Sequence, residues 1–253
     1  DYNFPLMRES TFTDDSVMTV ATAKAILLHP EHITRRELKL RAQEYAVQYK
    51  QFFSYFPDAG YGSMFRTWAA DRKMHRQHSF GNGAAMRAVP IGYAYDTLEQ
   101  VLLQAKASCL YTHDHPDAIR GAQAVAAAVW MAQHGEGKDA IRDYLRRNFR
   151  YALDNTIEEI RPHIVFDSSA ADSVPPAITA FLDSQDYEGA VRNAVSLGGD
   201  ADTMACIAGG IAEAFYGEIP DAWRRFCESR MDVTIRNVMR AFSDCFPVKR
   251  CYY

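Results

Sequence analysis

The segment 117–133, DAIRGAQAVAAAVWMAQ, carries apolar side chains on nearly every face of a helix. Such a helix has no water-facing stripe, so it must lie at the centre of other elements. Those elements also read as helices. Val17, Met18, Val20, Ala21, Ala25, Leu27 and Leu28 follow the polar start Thr13-Asp14-Asp15-Ser16, as in an N-capped helix. Residues 34–53 are amphipathic, residues 96–110 continue in that style, and residues 201–216 (ADTMACIAGGIAEAFY) are rich in small side chains that permit close packing. Further helices are predicted over 138–149, 175–184, 187–196, 220–228 and 232–243. The best strand pattern, around His163–Phe166, is short, and no βαβ rhythm, repeat or Gly/Ser linker interrupts the series. Loops are predicted at Pro57–Gly62, Phe80–Gly83, Pro90–Gly92 and His113–Pro116. The expectation is an all-α, compact orthogonal helical bundle, with residues 1–253 as a single domain.

Composition narrows the classes of function. Twenty-eight Lys and Arg against 32 Asp and Glu leave a net charge of −4, which argues against an extended basic nucleic-acid surface. The five cysteines, Cys109, Cys206, Cys227, Cys245 and Cys251, form no CxxC pair, and an odd, scattered set suits a reducing compartment. No apolar run reaches the roughly 20 residues of a membrane helix. The start, Asp1-Tyr2-Asn3-Phe4-Pro5, has no signal-peptide pattern and no initiator Met. A cytoplasmic, non-membrane monomer is expected, with Cys245, Cys251 and Tyr252–Tyr253 as possible interface or core-covering groups.

Two acidic clusters carry the chemistry. Thr13-Asp14-Asp15-Ser16 opens one helix and Gly198-Gly199-Asp200-Ala201-Asp202-Thr203 opens another. Carboxylate and hydroxyl oxygens are the ligands that Mg²⁺ and Mn²⁺ prefer. The competing reading for each is N-capping, since Asp and Thr satisfy free N–H groups at helix starts. An EF-hand is excluded, because Ala205 and Ile211 stand where Gly and Glu are needed. Three glycine-containing or polar loops lie between the clusters: Gly60-Tyr61-Gly62-Ser63, Gly81-Asn82-Gly83-Ala84-Ala85-Met86-Arg87, and Thr112-His113-Asp114-His115-Pro116. Glycine lets a backbone approach a ligand, and N–H groups at a helix start bind phosphate. The second loop is no dinucleotide fingerprint, since no strand precedes it and its sixth position is Met86. Cys109, His113 and His115 lack a fourth ligand at a zinc-site spacing. The helically spaced Tyr and Phe residues read as core.

Taken in order, these segments resemble the ADP-ribosylglycohydrolase family. The resemblance rests on Phe12–Thr19, Gly60–Gly62, Gly81–Arg87, Thr112–His113 and Gly198–Thr203. It implies an all-α fold with two divalent cations, Mg²⁺ or Mn²⁺, at the base of an ADP-ribose cleft. On that basis Thr13, Asp14 and Asp15 supply one side of the metal pair, and Asp200, Asp202 and Thr203 the other. Asp14, Asp15, Asp200 and Asp202 are the catalytic candidates, with Asp200 or Asp14 as proton acceptor. Gly60, Gly62 and Ser63 lie near the phosphates, Asn82, Gly83, Met86 and His113 are further cleft residues, and Arg87 braces its loop. Ser16 replaces the usual Thr but keeps the hydroxyl. Family members carry an apolar, glycine-rich helix before the first acidic motif, and the twelve residues before Thr13 do not resemble it. The implied activity is hydrolysis of an ADP-ribose conjugate. Protein arginine is favoured as leaving group, with serine, a nucleic-acid base or a small ester as alternatives. A non-catalytic binder of ADP-ribose or of a protein partner is the other reading.

Overall fold

The computed structural model describes residues 9–248. Among these the chain forms thirteen α-helices and two short 3-10 turns. In chain order the helices are α1 (Asp14–Leu28), α2 (Leu38–Tyr55), α3 (Ser63–Ala70), α4 (Val89–Ala94), α5 (Leu98–Cys109), α6 (Pro116–Gln133) and α7 (Lys138–Phe149). They continue as α8 (Ile157–Ile160), α9 (Ala170–Leu182), α10 (Tyr187–Ser196), α11 (Ala201–Tyr216), α12 (Asp221–Arg230) and α13 (Val233–Cys245). The fold is all-α, and none of the described helices is long and apolar enough to cross a membrane. Cys251 and Tyr252–Tyr253 lie outside the described residues, and Cys245 is exposed.

The apolar segment that constrains the sequence is α6. It packs against α4, α5, α7, α9 and α11, and its alanines Ala122, Ala124, Ala126, Ala127 and Ala128 are buried. Small side chains on this central helix let its neighbours come close, and at two places the approach depends on glycine. A Cβ at Gly92 of α4 would sit 2.6 Å from the Ala126 carbonyl and from Val129 Cβ on α6. A Cβ at Gly210 of α11 would sit 2.4 Å from Val89 on α4. α4 and α11 are thereby drawn onto the same side of the core as α1, which contacts both.

Several expectations are corrected. Residues 34–37 form a turn before α2, in which the Thr34 N–H and hydroxyl both donate to Glu37 at 2.8 Å. Pro90–Gly92 is helical within α4, where Pro90 sits in the first turn and its missing N–H costs no intrahelical bond. α9 begins at Ala170 rather than 175, because Ser169 caps it by accepting from the Asp172 N–H at 3.2 Å, and Pro175 and Pro176 lie inside the helix. The strand pattern near His163–Phe166 is a 3-10 turn over Arg161–His163 followed by irregular chain. Extended pairing among the described residues is limited to isolated bridges between His78 and His113 and between Gly81 and Ser169. The second ties the start of the middle glycine loop to the chain before α9, and the first ties the segment just before that loop to His113.

The close contact at Gly92 makes a prediction. Overpacking a core typically costs about 1–3 kcal/mol, so Gly92→Ala should lower the melting temperature by about 2–10 °C in a chain of this size. Lys39→Ala, at an exposed position of α2, should leave it unchanged within about 2 °C. Calorimetry on both variants tests the assignment, and equal melting temperatures would contradict it.

Candidate active site

α1 and α11 begin with the two acidic clusters, and neither start uses its side chains for capping. Thr13 occupies the N-cap of α1 and Asp200 that of α11, yet neither side chain accepts a helix N–H. The Thr13 hydroxyl instead donates to Asp15 Oδ2 at 3.0 Å. The N-cap residues therefore do not cap by side chain, although the backbone N–H groups of Asp14 and Asp15 still bear on the Asp14 carboxyl. The chain enters α11 through Gly198 and Gly199, with φ of +71° and +63°, a left-handed pair that other residues adopt only with strain. Gly60 has φ +96°, and its neighbour Ala59 accepts from the Asp14 N–H at 2.6 Å, pinning the first glycine loop to the start of α1.

The clusters, 185 residues apart from Asp15 to Asp200, act on one another electrostatically. Burial, then the negative charges of Asp202 and Asp200, pushes the Asp14 carboxyl up to about 6. Burial, then Asp14 and Asp202, pushes Asp15 up to about 7, against the pull of the Thr13 and Thr203 hydroxyls. Asp15 is only 5% exposed, and its Oδ1 has no hydrogen-bond partner. Asp200 is also raised, first by burial and then by contact with Asp202, while the Asn82 amide opposes the rise. That amide donates to Asp200 Oδ2 at 2.7 Å and to Ser173 Oγ at 3.0 Å. The Ser173 hydroxyl in turn donates to the Asp167 carbonyl at 3.1 Å.

A cleft of about 450 Å³ opens over these residues. Asp14, Asp200, Asp202 and Thr203 line one part of it, Gly60, Gly62 and Ser63 a second, and Asn82, Gly83, Met86 and His113 a third. Asp15 is buried and Thr13 half-buried, and neither lines the cleft. Asn82 is buried with its amide turned to Asp200 and Ser173, so it holds the acidic cluster as well as lining the cleft. Arg87 braces its loop, its Nη2 donating to the Ser108 carbonyl and to Thr112 Oγ1. Exposed Met64, Phe80 and Phe166 stand at the rim. Ser173, Ser168 and Phe166 were not legible as site residues, since they come from α9 and the irregular chain before it and share no motif with the glycine loops. The zinc reading of Cys109, His113 and His115 gains nothing. The Cys109 thiol is buried, pushed up to about 11, and donates to the Ala105 carbonyl, and His115 Nδ1 accepts from the Asp117 N–H.

Among the described residues, no three His, Cys, Asp or Glu close into a ready-made metal cage. The donor set nonetheless fits hard divalent cations. It consists of carboxylate and hydroxyl oxygens, it crowds like charges whose repulsion a cation would relieve, and it includes a buried carboxylate oxygen with no partner.

The family model described as ADP-ribosylglycohydrolase matches residues 2–247. The chain belongs to the ADP-ribosylglycohydrolase family. It is 27% identical to ADP-ribosylhydrolase ARH3 of Bos taurus, over 91% of this chain and 78% of that protein. It is 28% identical to the Homo sapiens protein of the same name, over 91% and 79%. Against the ADP-ribosyl-[dinitrogen reductase] glycohydrolase of Rhodospirillum rubrum it is 29% identical, over 64% of this chain and 55% of that protein. A solved structure described as an ADP-ribosylglycohydrolase-related protein complex shares the fold, with a TM-score of 0.69 at 24% identity, over 92% of this chain and 81% of that one.

The crowded carboxylates predict a pH dependence. In the unfolded chain Asp14 and Asp15 ionise near 3.8, and in the folded chain near 6 and 7. The folded state therefore binds more protons across that interval, and stability falls as pH rises from about 4 to 7. In cation-free buffer the melting temperature of the wild type should fall between pH 5 and pH 8 relative to Asp15→Asn. Mg²⁺ should raise the wild-type value more at pH 8 than at pH 5. A pH-independent difference between the two proteins would contradict the crowding.

Proposed function

We propose that this protein hydrolyses the bond between ADP-ribose and an acceptor, using two divalent cations, Mg²⁺ or Mn²⁺, held between α1 and α11. The observation that carries the reading is the division of one cleft into two chemistries. One part gathers Asp14, Asp200, Asp202 and Thr203, with Asp15 behind them. Facing loops offer Gly60, Gly62, Gly81 and Gly83, and a buried Arg87 lines the same cavity. ADP-ribose needs both, because its ribose hydroxyls suit cation-linked oxygens and its diphosphate suits backbone N–H groups and positive charge. The family membership and the names of the relatives favour the same chemistry, and the Rhodospirillum rubrum name favours a protein as the acceptor.

The cations would be held by Thr13, Asp14 and Asp15 from one helix start and by Asp200, Asp202 and Thr203 from the other. When bound, they supply charge neutralisation and Lewis acidity toward the ribose and the attacking water. Asp14 or Asp200 accepts the proton of that water at a carboxylate oxygen. The half-buried carboxylates stabilise positive charge as it builds on the ribose ring during departure of the acceptor. Asn82 holds Asp200 in place from the side, and Ser173 holds Asn82. Gly60, Gly62 and Ser63 receive the phosphates, while Gly83, Met86 and His113 form the rest of the bed. An arginine conjugate is the first substrate to test.

The deciding experiment incubates mono-ADP-ribosylated arginine protein with the enzyme in Mg²⁺ or in EDTA and quantifies released ADP-ribose. Release that EDTA abolishes is expected. Asp202→Ala and Asp15→Ala should each reduce it by at least about 10²-fold, the scale on which a positioned catalytic group matters, with helical content unchanged by circular dichroism. Full activity in both variants would overturn the cation assignment. Silence on arginine, serine, nucleic-acid and ester conjugates, with ADP-ribose still bound, would make the protein a binder instead.

A further inference from the structure

Arg87 is the least expected charge in the molecule. It is 1% exposed, lines the cleft, and pairs with no carboxylate among the described residues. Its guanidinium lies over the Tyr49 ring, 3.8 Å from the centroid, and its Nη2 donates to the Ser108 carbonyl at 3.1 Å and to Thr112 Oγ1 at 2.6 Å. A buried cation without a counter-charge is costly to keep, so its placement calls for a use.

Its contact with Thr112 has a consequence one residue on. Thr112 is 1% exposed, and its Oγ1 lies 2.9 Å from Nδ1 of His113. A hydroxyl has a single proton to give. Because Oγ1 already accepts from Arg87, its own proton is free to go to His113 Nδ1. The opposite arrangement, with His113 Nδ1–H donating to Oγ1, would leave the buried Thr112 proton without an acceptor and the Nε2 lone pair unmatched in the cleft. The positive charge beside Oγ1 also polarises its O–H toward the imidazole. Burial and then the Arg87 charge hold His113 well below the usual histidine range, so the ring is neutral.

The other edge of the ring faces the glycine loop. A Cβ at Gly83 would lie 3.1 Å from His113 Nε2, and one at Gly81 3.8 Å from it. A side chain at Gly83 would crowd that nitrogen, which also means that bulk there would disturb His113 before any ligand.

We propose that Arg87 and Thr112 are positioning residues that fix His113 as the Nε2–H tautomer, giving the glycine loop a permanent neutral donor for a phosphate oxygen of the ADP-ribosyl group. The ligand half of this inference rests on the proposed function, and the tautomer half stands without it. A neutral donor suits the position. It binds an anion without adding a second buried cation beside Arg87, and it does not change with pH across the physiological range.

The test reads the ring nitrogens of His113 directly, by ¹⁵N NMR of labelled full-length protein at pH 7, with and without Mg²⁺ and ADP-ribose. Wild-type protein should show a protonated Nε2 and an unprotonated Nδ1, with the Nε2 resonance moving when ADP-ribose is added. Thr112→Val should redistribute the tautomers and weaken ADP-ribose binding by about tenfold, the scale of one hydrogen bond to a charged group. Thr112→Ser should retain both properties, which a purely steric role for Thr112 would not require. An Nδ1–H tautomer or an imidazolium in the wild type overturns the proposal, as does a Thr112→Val protein whose tautomer is unchanged. Should Thr112→Val not fold, Arg87→Lys, which keeps the charge but shortens the reach to Oγ1, gives the same reading. A wild type with the Nε2–H tautomer that binds no ADP-ribose overturns the ligand role and the proposed function together, while the spectrum alone shows the lock intact.

Discussion

Like-charge repulsion between two helix starts is the constraint on which the rest of this molecule depends. Folding buries Asp15 and half-buries Asp14 near the charge of Asp202 at the start of α11, and both carboxyls are pushed above their ordinary value, first by burial and then by like charge. Nothing in the fold gains from that crowding by itself. Ordinary helix starts use such residues as caps, and here neither Thr13 nor Asp200 caps its helix. The surrounding structure must therefore be firm enough to hold an arrangement that electrostatics opposes. It is firm because α4 meets α6 at Gly92 and α11 at Gly210, where a single added methyl would collide with a neighbouring backbone or side chain, and α1 contacts both α4 and α11. Close helix packing and the acidic site are two ends of one argument, since looser packing would let the carboxylates relax apart.

The same cleft contains the opposite imbalance. Among the described residues Arg87 is a buried cation that pairs with no carboxylate, and it lines the same cleft as Asp14, Asp200 and Asp202. These charges could have neutralised one another in a buried ion pair, and the fold keeps them apart. Tyr49, Ser108 and Thr112 hold the guanidinium at the end of the Gly81–Arg87 loop, while Asn82, near the start of the same loop, and Ser173 hold Asp200. Two unspent charges of opposite sign in one cavity describe a ligand that is anionic at one place and binds cations at another. A diphosphate joined to a ribose has that character, whereas a purely hydrophobic or purely anionic ligand would leave one side unmatched.

The sequence made the helices legible where their apolar faces are long. α5, α6, α7, α10 and α11 fall within two residues of their expected bounds at each end. It gives no helix for α3 or α8 and a loop for the Pro90–Gly92 part of α4, all too short for periodicity to separate from a loop, and it starts α9 at the Pro pair when a serine cap lies six residues earlier. Within the site, the residues that could be read were those in compact motifs: the two acidic clusters, the glycine loops and His113. Ser173 could not be read, because a serine inside a helix says nothing about which side chain it will meet 91 residues away. Asn82 was read as a ligand group, and what the sequence could not disclose is that its amide is already engaged by Asp200.

Arg87 shows how far such reading goes and where structure takes over. Its place at the end of the Gly81–Arg87 motif marks it as part of the loop machinery, and bracing is what its contacts provide. The direction of the Thr112 proton, though, follows only from knowing that one buried hydroxyl sits between a guanidinium and an imidazole. In bulk solvent the two histidine tautomers differ little and exchange freely. Between a donor that never lets go of its protons and a nitrogen with no other partner, the hydroxyl has one satisfied orientation, and the ring must match it. A charge buried at one residue thus sets the chemistry of another by way of a neutral group, and the glycine loop receives the donor that this exchange leaves exposed.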